Sequence, residues 1–252
     1  MVKSSWIRRY LIRILAVAGL LHVFTTNISS AQEIRLENER VYTFVLFDVL
    51  EFAPFQDVRP VRWDMIGSIG KDYNRFWIKS DGDVSTAENA GEMEFQALYS
   101  RLIAPYWEAQ AGVRFDVNYF GEEMLTRVQL AIGLEGLAPY WFELAPSLFI
   151  SDDGDVSASL TGSYDLFVTQ TLILQPRLDA SISAQDVPAW GVESGLNNLA
   201  LSARIRYEIR REFAPYVGFV WTLTSRGSGE QDLILGDDSG TLAFVVGVRL
   251  WR

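Results

Sequence analysis

From residue 40 onward the chain alternates apolar and polar residues in runs of about ten to twelve, and few folds can satisfy such runs. In 107–118, Trp107, Ala109, Ala111, Val113, Phe115 and Val117 share one face, while Glu108, Gln110, Gly112, Arg114, Asp116 and Asn118 share the other. The same pattern holds in 172–184, where Leu174, Leu178 and Ile182 oppose Gln175, Asp179 and Ser183. It recurs in 199–209, where Leu201, Ala203, Ile205 and Tyr207 oppose Ser202, Arg204, Arg206 and Glu208. Period two is the signature of a β-strand with one face buried or lipid-covered. Strands of soluble sandwiches alternate too, but their usual length is about 5–6 residues. A tilted strand needs about 9–11 residues to cross a bilayer. Length therefore selects an all-β, transmembrane, antiparallel up-and-down barrel.

Twelve runs are expected: 40–51, 61–70, 74–80, 91–103, 107–118, 125–136, 140–151, 155–166, 172–184, 199–209, 213–224 and 241–252. An even number suits a bacterial outer-membrane barrel. The connections at 71–73, 104–106, 137–139 and 210–212 are tight, and those at 52–60, 81–90, 185–198 and 225–240 are long. Short periplasmic turns and longer outer loops predict which end faces which compartment. A motif repeats at the tight end: Ala104-Pro105-Tyr106-Trp107, Ala138-Pro139-Tyr140-Trp141 and Ala214-Pro215-Tyr216-Val217. Its prolines suit turns that owe no ladder hydrogen bond, and its aromatics suit a membrane interface. Tyr106, Trp107, Tyr140, Trp141 and Tyr216 are thus expected to form an aromatic girdle, or else a surface for docking a partner.

The first residues read differently. Lys3, Arg8, Arg9 and Arg13 precede an apolar run over 14–24, and Ser29-Ser30-Ala31 supplies a small-x-small end. That is the pattern of a secretory signal peptide over 1–31, followed by a short segment 32–39 and the barrel over 40–252. The apolar run is short of the roughly 20 residues that a spanning helix needs. Export as a barrel predicts the outer membrane and its lipid as the setting.

Composition narrows the chemistry. There is no cysteine, and the single histidine, His22, lies within the predicted signal peptide. Without that segment, eighteen basic residues face thirty-two acidic ones, which argues against a nucleic-acid partner. The chain beyond 31 lacks imidazole and thiol, and no Gly-x-Ser-x-Gly motif occurs, so an enzyme is not expected.

Several segments, in order, carry a resemblance: Asp72-Tyr73-Asn74-Arg75-Phe76-Trp77-Ile78-Lys79-Ser80-Asp81-Gly82, Gln96-Ala97-Leu98-Tyr99-Ser100-Arg101, Gly136-Leu137-Ala138-Pro139-Tyr140-Trp141-Phe142-Glu143 and Arg204-Ile205-Arg206-Tyr207-Glu208-Ile209. With Trp63-Asp64, Gly112-Val113-Arg114-Phe115-Asp116 and Phe213-Ala214-Pro215-Tyr216, the chain resembles the copper-resistance protein B family of outer-membrane barrels over 63–251. The resemblance implies a role in copper tolerance alongside a periplasmic multicopper oxidase. The sequence departs from the family pattern in three places. Segment 32–39 has none of the Met and His residues that family members often carry before the barrel. Beyond residue 31 the methionines Met65, Met93 and Met124 are scattered, and the last residues are Leu250-Trp251-Arg252 rather than an aromatic end.

The inward register is expected to gather Asp64, Arg75, Lys79, Glu92, Glu94, Glu108, Arg114, Asp116, Arg127, Glu135, Glu143, Asp165, Arg177, Asp179, Arg204, Arg206, Glu208 and Arg249. Ion pairs filling a narrow lumen are one reading of this set, and a cation pathway is the other. Copper is the candidate metal, with Asp64, Glu94 and Asp116 as candidate ligands, although carboxylates alone select copper poorly. Acidic stretches at Asp81-Gly82-Asp83, Asp152-Asp153-Gly154-Asp155 and Gly236-Asp237-Asp238 read as solvated turns rather than calcium loops, since no complete twelve-position loop is present. Two functions follow: a copper-tolerance barrel that binds or passes copper or docks the oxidase, and a general small-solute or structural barrel without copper handling.

Overall fold

A computed structural model describes residues 40–224 and 240–252. The predicted signal peptide, segment 32–39 and the triplet Gly236-Asp237-Asp238 lie outside the described residues. The strands are β1 (Tyr42–Phe52), β2 (Pro60–Gly70), β3 (Asn74–Ser85), β4 (Ala90–Ala104), β5 (Trp107–Phe120), β6 (Glu123–Ala138) and β7 (Phe142–Ser151). They continue as β8 (Val156–Ser163), β9 (Leu166–Phe167), β10 (Leu172–Ser183), β11 (Gly195–Tyr207), β12 (Phe213–Thr224) and β13 (Thr241–Trp251). Sequential strands pair antiparallel, and β13 pairs with β1, so the sheet closes on itself. Segment β9 continues β8 in the same register against β10, because Ser163 faces Arg177 and Leu166 faces Leu174. The described residues therefore form a closed barrel of twelve staves, as the alternation predicts.

Prolines explain where the ladders lapse. Tyr164 N–H donates to Pro176 O, so Pro176 turns its backbone bonding groups toward β8. Having no N–H, it returns no bond to Tyr164 O, and the ladder lapses at Tyr164-Asp165 between β8 and β9. In β7, Ser151 N–H bonds toward the β8 side, which by parity turns Pro146 toward β6. There the β6–β7 pairing skips from Gly133↔Ser147 to Gly136↔Leu144. Pro215 likewise faces β11, whose pairing with β12 ends at Arg206↔Tyr216. Each gap costs one ladder bond and leaves the register intact.

The two faces separate by polarity. Outward positions are large and apolar at mid-strand, as with Ile78, Phe115, Ile132, Leu201 and Phe219, all more than 40% exposed. Such a continuous exposed apolar band is stable only against lipid. At the end carrying the turns 71–73, 105–106, 139–141, 168–171 and 208–212, the band is bordered by exposed Tyr73, Tyr99, Tyr106, Tyr140, Trp141 and Tyr207. Exposed tyrosines and tryptophans at the rim of an apolar band suit a membrane interface, and short turns suit the periplasmic end of such a barrel.

The boundaries differ from expectation in instructive ways. Strand β3 runs five residues past Ser80, and only 86–89 connects it to β4, so the expected loop 81–90 does not exist. Asp81-Gly82-Asp83 is strand, not a solvated turn, because Gly82 lies beneath the Trp63 ring on the outer face while both aspartates turn inward. A Cβ at Gly82 would meet Trp63 Cη2 at 2.6 Å, so this glycine serves packing rather than a turn. Asp152-Asp153-Gly154 does form a turn, closed by Ser151 N–H donating to Asp155 O at 2.8 Å. Residues 140–141, expected as strand, form a single 3-10 turn with Pro139.

Candidate functional site: the charged lumen

The inner face of the barrel is where the sequence concentrates its chemistry. Cross-strand pairing sets Asp64 opposite Asp81, Asp81 opposite Glu94, Glu94 opposite Asp116, and Asp116 opposite Arg127. Four carboxylates thus form one row across β2 to β5. Paired residues on neighbouring strands are about 4.5–5.5 Å apart, so like charges in direct opposition are destabilising unless counter-charges reach them.

Counter-charges reach three of the four. Arg177, from β10, extends to Asp64 at 2.7 Å, to Asp48 at 3.2 Å and to its own strand neighbour Asp179 at 3.0 Å. Arg114 bridges Glu94 at 2.7 Å and Asp116 at 2.6 Å, with its guanidinium 4.3 Å above the Phe149 ring. Asp116 also accepts from Arg127 at 3.0 Å and from Gln129 at 2.5 Å. Asp81 is different. Among the described residues it makes no ion pair, and it is exposed although its register turns it into the lumen. Its carboxylate therefore meets lumenal water.

Around the row the interior is unequal. On β1–β6, carboxylates outnumber Arg62, Arg75, Lys79, Arg114 and Arg127, whereas β10, β11 and β13 bring Arg177, Arg204, Arg206 and Arg249 inward. Strand β8 presents only hydroxyls inward, Ser157, Ser159, Thr161 and Ser163, two of which donate to Asp179 and Glu143. Small hydroxyl groups leave room that longer side chains would fill.

Elsewhere the walls are tied together. Glu51 accepts from Arg204 Nε at 2.8 Å and Nη2 at 2.9 Å, and from Tyr216 Oη at 3.2 Å. Lys79 donates to Glu135 at 2.6 Å and to Gln110 at 3.0 Å, and Arg75 pairs with Glu108 at 3.2 Å. Trp77 Nε1 donates to Ser100 at 2.9 Å. Charged groups taken from water are tolerable because these partners satisfy them.

The predicted metal ligands are brought to one wall, yet as arginine-bound carboxylates. Asp64, Glu94 and Asp116 each hold at least one guanidinium, and among the described residues no three Asp, Glu, His or Cys groups converge as a metal site. Tyr106, Tyr140 and Trp141 lie at the periplasmic turns with left-handed φ of 67°, 68° and 68°, and Tyr106 meets Trp141 edge-on at 6.4 Å. Trp107 begins β5 beside them. Tyr216 departs from expectation: it lies within β12, 5% exposed, with its ring inward over Gly247. Pro215 marks a ladder end inside the strand rather than the turn, which shifts Tyr216 off the girdle and into the lumen.

Asp48, Glu51, Asp81 and Asp83 also lie on the inner wall, beyond the positions expected to face inward. In β1, pairing with β2 slips between Phe47 and Val49. This bulge moves the inward face from Phe44 and Leu46 to Val49 and Glu51, with Asp48 also reaching Arg177 and Arg249. Strict alternation cannot foresee the change of parity.

Comparison with known proteins bears on what this interior serves. A family model described as copper resistance protein B precursor (CopB) matches residues 41–252. Copper resistance protein B of Escherichia coli is 34% identical over 216 residues, covering 86% of this chain and 71% of the relative. A copper resistance protein B homolog of Pseudomonas syringae pv. tomato is 31% identical over 217 residues, covering 86% and 72%. Among solved structures, a KdgM porin is similar at a TM-score of 0.48 and 11% identity, over 83% of this chain and 98% of that one.

Proposed function

The chain belongs to the copper resistance protein B family, and on that premise we propose that this outer-membrane barrel serves copper tolerance by drawing copper cations into its lumen along the acidic wall of β2–β5. The observation that carries the reading is the row Asp64, Asp81, Glu94 and Asp116, with Asp81 making no ion pair among the described residues and exposed within the lumen. A lumen whose fixed charges are negative on one wall raises the local concentration of cations and repels anions. Copper is cargo here and not a resident cofactor. The barrel offers it oxygen ligands only, which favour weak, exchangeable contact over tight capture, and passage requires contacts weak enough to be left.

A second mode is docking of a periplasmic multicopper oxidase at the aromatic turns, supported by the exposed cluster of Tyr106, Tyr140 and Trp141 in left-handed conformations. One experiment separates the two. A deletion strain is complemented with the wild-type gene, with Asp64→Asn/Asp81→Asn/Glu94→Gln, or with Tyr106→Ser/Tyr140→Ser. Loss of copper survival with the acidic triple variant alone supports the lumen reading, and loss with the tyrosine pair alone supports docking. Full survival with both variants would leave neither standing and favour a general small-solute or structural barrel.

A further inference from the structure

The outer connection 184–194 joins β10 to β11, but it does not stay above its own strands. Trp190 lies with its ring 4.5 Å from the guanidinium carbon of Arg127, which belongs to β6. Between β10 and β6 stand β7 and β8. Neighbouring strands are about 4.8 Å apart, so the wall separates these partners by roughly 14 Å. Trp190 can meet an inward arginine at that remove only by lying in the mouth of the barrel.

The loop is held there on several sides. Gln185 donates to Gly154 O at 3.2 Å and to Asp155 at 3.4 Å, which ties the loop to the β7–β8 turn. Val187 and Val192 bridge across a single 3-10 turn, Pro188–Trp190, that Gly191 closes at a φ of 61°. Ser194 N–H donates to Asp186 at 2.6 Å, and this bond holds the Asp186 carboxyl below the usual carboxylate range. The residue at the other end of the stack is no bystander. Arg127 is one of the two arginines that pair with Asp116, the last carboxylate of the acidic row. A ring on a guanidinium is a moderate attraction, so the contact can hold a loop without locking it.

We propose that 184–194 is the constriction of the outer mouth and that Trp190 sets which solutes pass it. The indole covers one end of the acidic row, so small hydrated cations slip beside it towards Asp81 while bulky solutes are stopped. This rests on the reading of the lumen as a cation route, and it adds where and by what group that route is narrowed.

The test uses the full chain, purified and inserted into planar bilayers in potassium chloride. Conductance, reversal potential in a salt gradient and exclusion of graded polyethylene glycols are recorded for the wild type, Trp190→Ala, Trp190→Phe and Asp81→Asn/Glu94→Gln. Trp190→Ala should conduct severalfold more and admit larger polymers, while Trp190→Phe, which keeps a ring on Arg127, should stay close to the wild type. Heat-modifiable migration on gels reports that each variant is folded. Unchanged conductance and polymer cut-off in folded Trp190→Ala would overturn the constriction, as would the absence of any conductance in both that variant and the wild type. The acidic double variant reports on the other reading. If it keeps the wild-type ion preference while Trp190→Ala opens the pore, the cation route fails and the constriction stands.

Discussion

Replacing Glu51 with alanine tests how the barrel tolerates charge in its interior. The Glu51 side chain is 2% exposed and that of its partner Arg204 is 6% exposed. Two guanidinium bonds of 2.8 and 2.9 Å, with the Tyr216 hydroxyl at 3.2 Å, satisfy the carboxylate. In Glu51→Ala, Arg204 keeps only its bond to Ser202 at 2.6 Å, and a buried cation stands uncompensated. Breaking such a pair from one side costs about 3–5 kcal/mol. That corresponds to roughly a hundredfold to a few thousandfold in the unfolding equilibrium. Removing both charges is a different perturbation: Glu51→Leu with Arg204→Met deletes the desolvation cost together with the attraction, and such replacements range from neutral to about 1–4 kcal/mol stabilising. Urea titration of the protein in detergent micelles, followed by tryptophan fluorescence, measures both. A loss under about 1 kcal/mol in Glu51→Ala would place the pair among solvent-screened surface bridges. Equal losses in the single and double variants would refute the argument just as firmly.

Other outcomes follow from the two faces and from the ligand chemistry. Leu160→Arg, on the lipid side of β8, should cost about 2–4 kcal/mol near the midplane, while Ser159→Arg points into the lumen and should be tolerated; assembly yields in the outer membrane decide, and the reverse order would shift the whole register by one residue. Copper(II) titration of the purified barrel, with calcium and zinc as controls, should show weak binding with little preference for copper. Ionised carboxylates are the ligands, so binding should weaken as the pH falls and these groups take up protons. Tight copper-selective binding that survives Asp64→Asn/Asp81→Asn/Glu94→Gln would overturn the lumen assignment. Tyr140→Gly relieves a left-handed backbone costing about 1–2 kcal/mol but removes an interfacial ring, so urea stability should change by less than about 1 kcal/mol.

The alternation made the faces legible because lipid outside and charge inside impose opposite demands on adjacent residues. Asp64, Arg114, Asp116, Arg177 and Arg204 all turn inward as their spacing predicts. Local exceptions to that rule were not legible. The slip at Phe47–Val49 depends on how β1 meets its neighbours, and no residue type within β1 announces it. Asp81-Gly82-Asp83 has the composition of a turn, and only the Trp63 ring lying over Gly82 makes strand the better state. Trp190 was missed for a related reason. A loop carries no periodicity, and its contact with Arg127 arises from closure of the barrel, which brings together residues 63 positions apart in sequence.

Closure has a kinetic side as well. The seam joins β1 to β13, so Asp48 meets Arg249 and Leu46 meets Trp251 across about two hundred residues of chain. Contacts of such sequence separation form late, since the entropy of closing the loop must be met before they give anything back. The β1–β13 ladder is also interrupted between Phe47 and Glu51. At that interruption side chains span the gap: Asp48 grips Arg249, while Glu51 reaches past β13 to Tyr216 on β12 and Arg204 on β11. The seam would thus be the last part of the wall to zip and the first to part. Its ion pairs would act as clasps on a joint that the backbone alone leaves loosely sewn.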